Sequence, residues 1–183
     1  MAPNAQRMDG VFQGKTIAQW KEQLDDPKET ARLMAAAAVG ECGPKAVPAL
    51  VEMLKSKDAL IRYWAAMGLG KIGAEAGSAA AALAEVLDDP SECVQVNAAY
   101  ALWAIGEKAK GMEALIKCAK AKSAGARLAV MNLLSLIGPE AKAALEAIQA
   151  AADVKDDDSV QDYVVRKANY DLKMLGARDS VPE

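Results

Sequence analysis

The sequence predicts an all-α protein, an α-solenoid of helical hairpins with about four full repeats and a half-repeat helix at each end. Glycines recur about 30 to 38 residues apart, each closing a similar run of small and branched apolar residues, at Gly43, Gly73, Gly106, Gly138 and Gly176. A near-constant period of this length is typical of solenoids. Alternation of apolar and polar residues is nowhere sustained, which disfavours strands. The chain is 52% hydrophobic but only 4% aromatic, so its core must use aliphatic side chains, which suits closely packed helices.

The repeats share a register, which we number from the residue eleven before each closing glycine. Position 0 holds Arg32, Arg62, Gln95, Arg127 and Val165. Positions +3, +7 and +10 lie on the same helical face as position 0 and are apolar. They hold Ala35, Ala65, Ala98, Val130 and Ala168 at +3; Val39, Leu69, Leu102, Leu134 and Leu172 at +7; and Cys42, Ile72, Ile105, Ile137 and Leu175 at +10. These positions are the predicted core.

The elements follow in chain order. Residues 1–15 are predicted to be a flexible N-terminal lead, residues 16–176 the solenoid, and residues 177–183 a frayed tail. Thr16 is predicted to cap a half-repeat helix that shields the apolar edge of the first full repeat. The four helical hairpins are expected at residues 29–41 with 45–56, 59–72 with 76–87, 91–105 with 109–121, and 126–137 with 140–151. A terminal helix is expected at 160–175.

Composition excludes several kinds of chemistry. The net charge is −3, which disfavours a nucleic-acid binder because such proteins concentrate Lys and Arg against phosphates. The chain has no histidine, so His-based acid–base catalysis, Ser/His or Cys/His nucleophiles and His-ligated metals are excluded. The three cysteines have no C-x-x-C spacing, which disfavours a disulfide framework or a zinc site. Cys42 is expected to be a small buried hydrophobic residue. We therefore expect no catalytic residue, no cofactor and no metal.

The length of the apolar runs bears on whether the chain associates with a membrane. The sequence has neither about 18 consecutive strongly apolar residues nor an N-terminal signal core, so no membrane association is expected. The compartment stays open: cytoplasmic for the chain as written, periplasmic or secreted if a signal or parent domain has been removed.

The repeated arginine has two possible acidic partners. Asp58 stands four residues before Arg62, which allows an ion pair within one helix. Alternatively, the repeated arginine can reach the acidic loop of the neighbouring repeat.

The repeating motifs resemble HEAT repeats of the short bacterial, phycobilisome-lyase-like type, over about residues 16–176. They are Asp-Pro loops, an Arg, Ala-Ala, Leu-Gly and Ile-Gly-Pro. Residues 61–69, Ile-Arg-Tyr-Trp-Ala-Ala-Met-Gly-Leu, are similar to the HEAT segment at the C-terminus of some bacterial sulfatases. The resemblance implies an interaction role rather than an activity. The sulfatase nucleophile motif, Cys or Ser followed by x-Pro-x-Arg, is absent, since Cys93 precedes Val94-Gln95-Val96-Asn97. Nothing in the sequence marks a bilin site.

The few aromatic residues are the candidates for a binding surface. Repeat positions +1, +5 and +8 form a stripe beside the predicted core, and packing between repeats is the competing interpretation for them. Position +2 points away from the core, although a Trp there can also lie partly buried over a neighbouring helix. The candidate protein-contacting residues are Tyr63, Trp64, Met67, Asn97 and Tyr100.

The leading hypothesis is a non-catalytic, monomeric interaction scaffold that serves another protein or a catalytic domain of its parent polypeptide, such as a sulfatase or other hydrolase. One alternative is a DNA-binding, glycosylase-like helical-repeat enzyme that works on a basic concave groove, which the acidic total disfavours. The lysines of the third repeat, Lys108, Lys110, Lys117, Lys120 and Lys122, are interpreted as a solvated face. A bilin lyase subunit is the second alternative.

Overall fold

The computed structural model describes residues 10–151, 166, 167, 170, 171, 173 and 174. The chain divides into two compact units, residues 1–111 and residues 112–183. In the described part the helices are α1 Ile17–Lys21, α2 Glu29–Glu41, α3 Val47–Met53, α4 Ala59–Ile72, α5 Ala80–Glu85, α6 Glu92–Ala104, α7 Lys108–Cys118, α8 Ala124–Ile137 and α9 Lys142–Ala151. In chain order they match the first and second helices of the four predicted hairpins. The all-α solenoid class is confirmed.

The N-terminal segment is more structured than the sequence predicted. Strands β1 Val11–Phe12 and β2 Lys15–Thr16 pair antiparallel, with Gln13 and Gly14 at positive φ in the turn between them. The Gly10 N–H donates to the Cys42 carbonyl at 3.0 Å, and the indole N–H of buried Trp20 donates to the Phe12 carbonyl at 3.1 Å. Residues 10–15, inside the expected lead, therefore make specific contacts. Residues 1–9 lie outside the described part.

The predicted half-repeat helix is present as α1. Thr16 caps it in the predicted way, because its hydroxyl accepts from the Gln19 N–H at 3.3 Å while the Gln19 side chain accepts from the Thr16 N–H at 2.8 Å. This reciprocal pair is a capping box. A short 3₁₀ turn, Glu22–Asp25, follows. α1 packs on α2, and so it covers one side of the first full repeat.

The core of residues 10–111 lies where the register predicts it. Helices α2, α4 and α6 pack side by side, and α3 and α5 pack against α4 and α6 from a second layer. The +3 and +7 residues of these three helices have no exposed surface: Ala35, Ala65, Ala98, Val39, Leu69 and Leu102. Cys42 at +10 is buried as well, as expected, and burial, followed by the charge of Glu41, raises the pKa of its thiol.

Glycine allows neighbouring helices to approach closely. A Cβ added at Gly68 of α4 would lie 2.9 Å from the Gly40 Cα of α2, closer than real side chains come. Where α4 ends, Gly73 has φ +72°, a conformation that only glycine adopts without strain. The second helix of a hairpin then begins in 3₁₀ geometry, at Pro44–Ala46, Gly73–Ala79 and Gly138–Ala141. The sequence predicted these helices without that irregular first turn.

Residues 112–183 contain the end of α7 together with α8 and α9. The run Ala124–Glu146 is long and apolar enough to cross a membrane by length and composition alone. It is not one straight helix, because Gly138 has φ +73° between α8 and α9, and the 14 residues of α8 span only about 21 Å of a roughly 30 Å hydrocarbon layer. Its face with Val130, Leu134 and Ile137 is buried in the protein. The predicted terminal helix and the predicted tail fall mostly or wholly outside the described residues.

Candidate functional site

The candidate site lies on the outward side of α4 and α6. Asp58 starts α4, because its carboxylate accepts from the Leu60 N–H at 2.9 Å. One turn later the rings of Tyr63 and Trp64 meet edge to face, with centroids 5.5 Å apart and planes at 86°. Both side chains are half-buried, and Trp64 packs on one side against the hydrophobic core. Met67, a turn further along, is also half-buried. α4 therefore presents part of three large side chains to solvent.

A second aromatic pair lies on α6. The rings of Tyr100 and Trp103 stack, with centroids 6.0 Å apart and planes at 24°. Tyr100 also lies against α4: a Cβ added at Gly70 would be 3.1 Å from its Cδ1 atom. Part of the Tyr100 side chain is therefore buried by packing between repeats. That is the interpretation that competed with a binding role for this residue. The Lys108 ammonium lies 5.4 Å from the centroid of Trp103, within cation–π range.

The structure corrects the prediction that Asn97 contacts a partner. It shares repeat position +2 with Trp64, and the helical wheel placed both on the outward side. Asn97 is nevertheless only 9% exposed, and its amide donates to the Cys93 carbonyl at 2.9 Å. A short polar side chain can fold back onto the carbonyl four residues earlier in its own helix. Asn97 is therefore removed from the predicted contact residues, while Tyr63, Trp64, Met67 and Tyr100 keep exposed surface.

Two exposed apolar side chains extend the site beyond the predicted residues. Met34 of α2 is 66% exposed and Leu60 of α4 is 42% exposed. Met34 occupies position +2, the position of Trp64 one repeat later, so the register could have identified it. We call the set Met34, Leu60, Tyr63, Trp64, Met67 and Tyr100 the outward face. Its members come from three neighbouring helices of one compact unit.

Charged pairs join the helices that carry the outward face. Lys71 of α4 forms an ion pair with Glu41 of α2 on the same side of the helices. Arg62 reaches the next repeat: its Nε and Nη2 donate to the two Asp89 carboxylate oxygens at 2.6 and 2.9 Å. Of the two partners that the sequence allowed, Arg62 therefore pairs with the acidic loop of the next repeat. The Asp58 carboxylate caps α4 and lies 3.8 Å from Arg32 Nε. The pairs hold α4 in place relative to both of its neighbours.

The Arg62–Asp89 pair is largely buried. The Arg62 side chain is 14% exposed and that of Asp89 is 5% exposed. Burial alone would raise the pKa of Asp89, but hydrogen bonds from Arg62 and the Ser91 N–H, with the charge of Arg62, hold it below its ordinary value. The hydrogen bond to Asp89 raises the pKa of Arg62. Both groups are charged at neutral pH, which makes the pair a fixed bridge between repeats rather than an acid–base device.

Position 0 also ties each first helix to the loop before it. Arg32, Arg62 and Arg127 each donate from Nη1 to the carbonyls six and five residues earlier, at 2.7 to 3.3 Å. Gln95 makes the first of these bonds, to the Asp89 carbonyl at 2.6 Å. The recurring residue therefore bonds the first turn of each helix to the loop that precedes it. It fixes the angle at which each helix of the site begins.

The arrangement can bind an apolar or aromatic surface but offers no evident chemistry. No group of three His, Cys, Asp or Glu side chains suited to a metal lies among the described residues. Half-buried Tyr and Trp on rigid neighbouring helices, with more exposed Met and Leu beside them, are the residue types that anchor protein interfaces.

Comparison with known proteins found one matching family and several similar solved structures. Residues 17–94 match the family model for HEAT repeats. A search among curated proteins gave no match. Among solved structures, an engineered protein from the Northeast Structural Genomics Consortium is 22% identical over 86% of this chain and 79% of its own, with a TM-score of 0.49. The complex of CpcE and CpcF of phycocyanin lyase from Nostoc sp. PCC7120 is 20% identical over 87% of this chain and 82% of the matched chain, with a TM-score of 0.39.

Proposed function

Because residues 17–94 match the HEAT-repeat family model, we propose that this chain is a non-catalytic interaction module whose outward face binds another protein or a catalytic domain of its own parent polypeptide. HEAT repeats commonly mediate protein–protein interaction, since stacked repeats build extended surface from a small unit. The finer assignment, to the outward face, rests on one observation. Large apolar and aromatic side chains of three neighbouring helices keep exposed surface, at repeat positions that share one side of the helical wheel.

The composition of the outward face fits a protein partner better than a charged polymer. Its members are aromatic or apolar, whereas nucleic-acid surfaces are dominated by Lys and Arg contacts to phosphates. Trp and Tyr contribute large rigid area with few rotatable bonds, which is why they dominate interface energetics. Met34 and Met67 add flexible, polarisable contacts. Trp64 is the best anchor, because it is half-buried against the core and braced edge-on by Tyr63.

We further propose that the chain itself performs no catalysis. It contains no histidine, and the sulfatase nucleophile motif is absent. The exposed thiol Cys93 stands on α6 without a histidine that could activate it. A hydrolase such as a sulfatase, attached to this module or served by it, is one class of partner compatible with the sequence resemblance.

The test compares the outward face with a charged surface of the second unit. A partner is first captured on immobilised wild-type chain, and its affinity is then measured for Trp64→Ala and for the double variant Lys117→Ala, Lys120→Ala. Truncating an interface anchor often costs about 2 kcal/mol, roughly a thirtyfold loss of affinity. We expect that loss for Trp64→Ala and less than about a threefold change for the lysine variant, with unchanged far-UV circular dichroism in both.

The opposite pattern, strong loss with the lysine variant only, would move the site to α7 and the loop after it. Retention of the wild-type chain on DNA at low salt, abolished by salt, would instead favour the glycosylase-like alternative. Attachment of a chromophore to an antenna acceptor during co-expression would favour the bilin lyase alternative. If Trp64→Ala unfolds the chain, Met34→Ala tests the same face, because Met34 is exposed.

A further inference from the structure

Residues 112–183 contain a cavity that the interaction hypothesis does not use. It measures about 220 Å³ and is lined by Leu134, Ser135, Gly138, Leu145, Tyr170, Asp171 and Met174. Leu134 and Leu145 form a buried apolar floor. Tyr170 and Met174 are 59% and 44% exposed, so they form the outer wall. Ser135 and Asp171 supply the polar groups on one side.

The residues beside the cavity differ from those at the helix contacts of the first unit. In that unit, position +8 of one first helix faces position +6 of the next. At the α2–α4 contact these are Gly40 and Gly68, and at the α4–α6 contact Gly70 and Ala101, each pair so close that an added Cβ would crowd its neighbour. The corresponding residues in the second unit are Ser135 and Asp171. Two larger polar residues therefore replace a tight contact of small ones.

The polar side of the cavity is held by a short network. The Ser135 hydroxyl lies 2.7 Å from Asp171 Oδ2 and 2.6 Å from Lys167 Nζ, and Lys167 donates to both Asp171 oxygens at 2.7 and 2.8 Å. These bonds make the Ser135–Asp171 spacing specific rather than an accident of loose packing. A carboxylate has about four acceptor sites, and these contacts occupy three of them, so one further donor can be accepted.

Tyr170, the aromatic residue of the cavity, is less tightly packed than Tyr100, which holds the same repeat position in the first unit. Tyr170 and Tyr100 both occupy position +5. Tyr100 lies on Gly70 and fills the space between α4 and α6, whereas Tyr170 stands beside an open cavity and is more than half exposed. Because Ser135 takes the place of the glycine, the ring of Tyr170 is left available as a wall.

We propose that this cavity binds a compact aromatic molecule that carries one N–H donor. Its ring would lie between Leu134, Leu145, Met174 and Tyr170, and its N–H would donate to the Asp171 carboxylate. An apolar cavity of about 150 Å³ is large enough for benzene, so 220 Å³ suits a bicyclic ring. Apolar walls with few, well-placed polar groups are the usual form of small-molecule sites. The cavity and the outward face belong to different compact units and share no residue, and the test of the cavity does not depend on the proposal for the outward face.

Indole and indene are the matched probes, since they share shape and differ in the N–H group. Methionine-methyl NMR spectra of the wild-type chain are recorded during titration with each. We expect indole to shift the Met174 methyl in a saturable way and to leave the Met34 and Met67 methyls in place. We expect indene to bind about three- to tenfold more weakly, the effect of one hydrogen bond of ordinary net strength.

Two variants then assign the contacts. Asp171→Asn should reduce the preference for indole over indene to below about twofold, while leaving indene affinity unchanged. Tyr170→Ala should weaken both probes, whereas Tyr100→Ala, at the same repeat position in the first unit, should weaken neither. No saturable shift of Met174 with either probe would overturn the proposal. So would equal affinity of indole and indene in the wild type, or a loss confined to Tyr100→Ala.

Discussion

Replacing Arg62 by methionine should destabilise residues 10–111 more than the same change at Arg32. Methionine keeps much of the apolar stem but removes the guanidinium. At Arg62 the change breaks two bonds to Asp89, at 2.6 and 2.9 Å, and two bonds to the carbonyls of Ser56 and Lys57. It leaves the carboxylate of Asp89, 5% exposed, without its cation.

The magnitude follows from burial and from the matched control. Removing one partner of a buried ion pair costs about 3 to 5 kcal/mol, and we expect the lower end because the Arg62 side chain retains 14% exposure. Arg32 makes the same kind of loop contacts, to Asp26 and Pro27. Its carboxylate partner Asp58 is 3.8 Å away, however, with side chains 27% and 31% exposed, and such pairs are worth about 1 kcal/mol or less. The difference between the two variants should therefore be about 2 kcal/mol.

Urea unfolding followed by tryptophan fluorescence measures this difference. The three tryptophans of the chain, Trp20, Trp64 and Trp103, all belong to the first unit, so the signal reports on the part that carries the pair. With a slope of about 1 to 3 kcal/mol per molar urea, a 2 kcal/mol difference separates the midpoints by about 1 M. Equal losses for Arg62→Met and Arg32→Met would refute the claim that the Asp89 bridge, rather than the loop contacts, holds the repeats together.

Three further predictions concern the same unit. Leu69→Ala removes a fully buried +7 side chain and should cost about 2 to 5 kcal/mol in urea melts; a nearly neutral result would mean that the register is wrong. Gly68→Ala places a Cβ 2.9 Å from the Gly40 Cα and should cost about 1 to 3 kcal/mol. Its control Gly77→Ala has no atom within 4 Å and should be neutral or slightly stabilising. Because the pKa of Asp89 is lowered on folding, its stabilisation should be complete above the unfolded value of about 3.9 and lost as pH falls through the lower folded value, so acid melts of wild type and Asp89→Asn should converge.

The first helix of each hairpin was predictable because one face repeats apolar residues with the helical period. The limits expected for residues 29–41 and 59–72 are those of α2 and α4. The second helices were predicted less well at their starts, where Pro44 and Gly138 lie within 3₁₀ turns. Their first turn depends on how the chain leaves the preceding glycine rather than on a periodic pattern. The β1–β2 hairpin was missed because two-residue strands are too short to show alternation.

The candidate site was only partly predictable, because a helical wheel places a side chain but does not show what it contacts. Trp64 and Asn97 share a register position, yet the amide of Asn97 donates to a carbonyl in its own helix and the side chain is buried. For Arg62 the sequence allowed a pair with Asp58 or with the acidic loop of the next repeat, and the spacing alone did not decide between them. Asp58 caps α4, and Arg62 binds Asp89, 27 residues further along the chain. The network of Ser135, Lys167 and Asp171 joins residues 36 and 32 positions apart. Position +8 already holds Trp103 in the third repeat and position +6 holds Leu133 in the fourth, so the register alone did not single out Ser135 and Asp171.

The measurement that tests the interaction claim most directly is a methionine-methyl NMR titration of the wild-type chain with the partner recovered on immobilised protein. Met34 and Met67 belong to the outward face, Met53 is buried in α3, and Met174 lines the cavity of the second unit. We predict that the partner broadens or shifts the Met34 and Met67 methyls at stoichiometric concentration and leaves Met53 and Met174 unchanged. Perturbation of Met174 with Met34 and Met67 unchanged would contradict it.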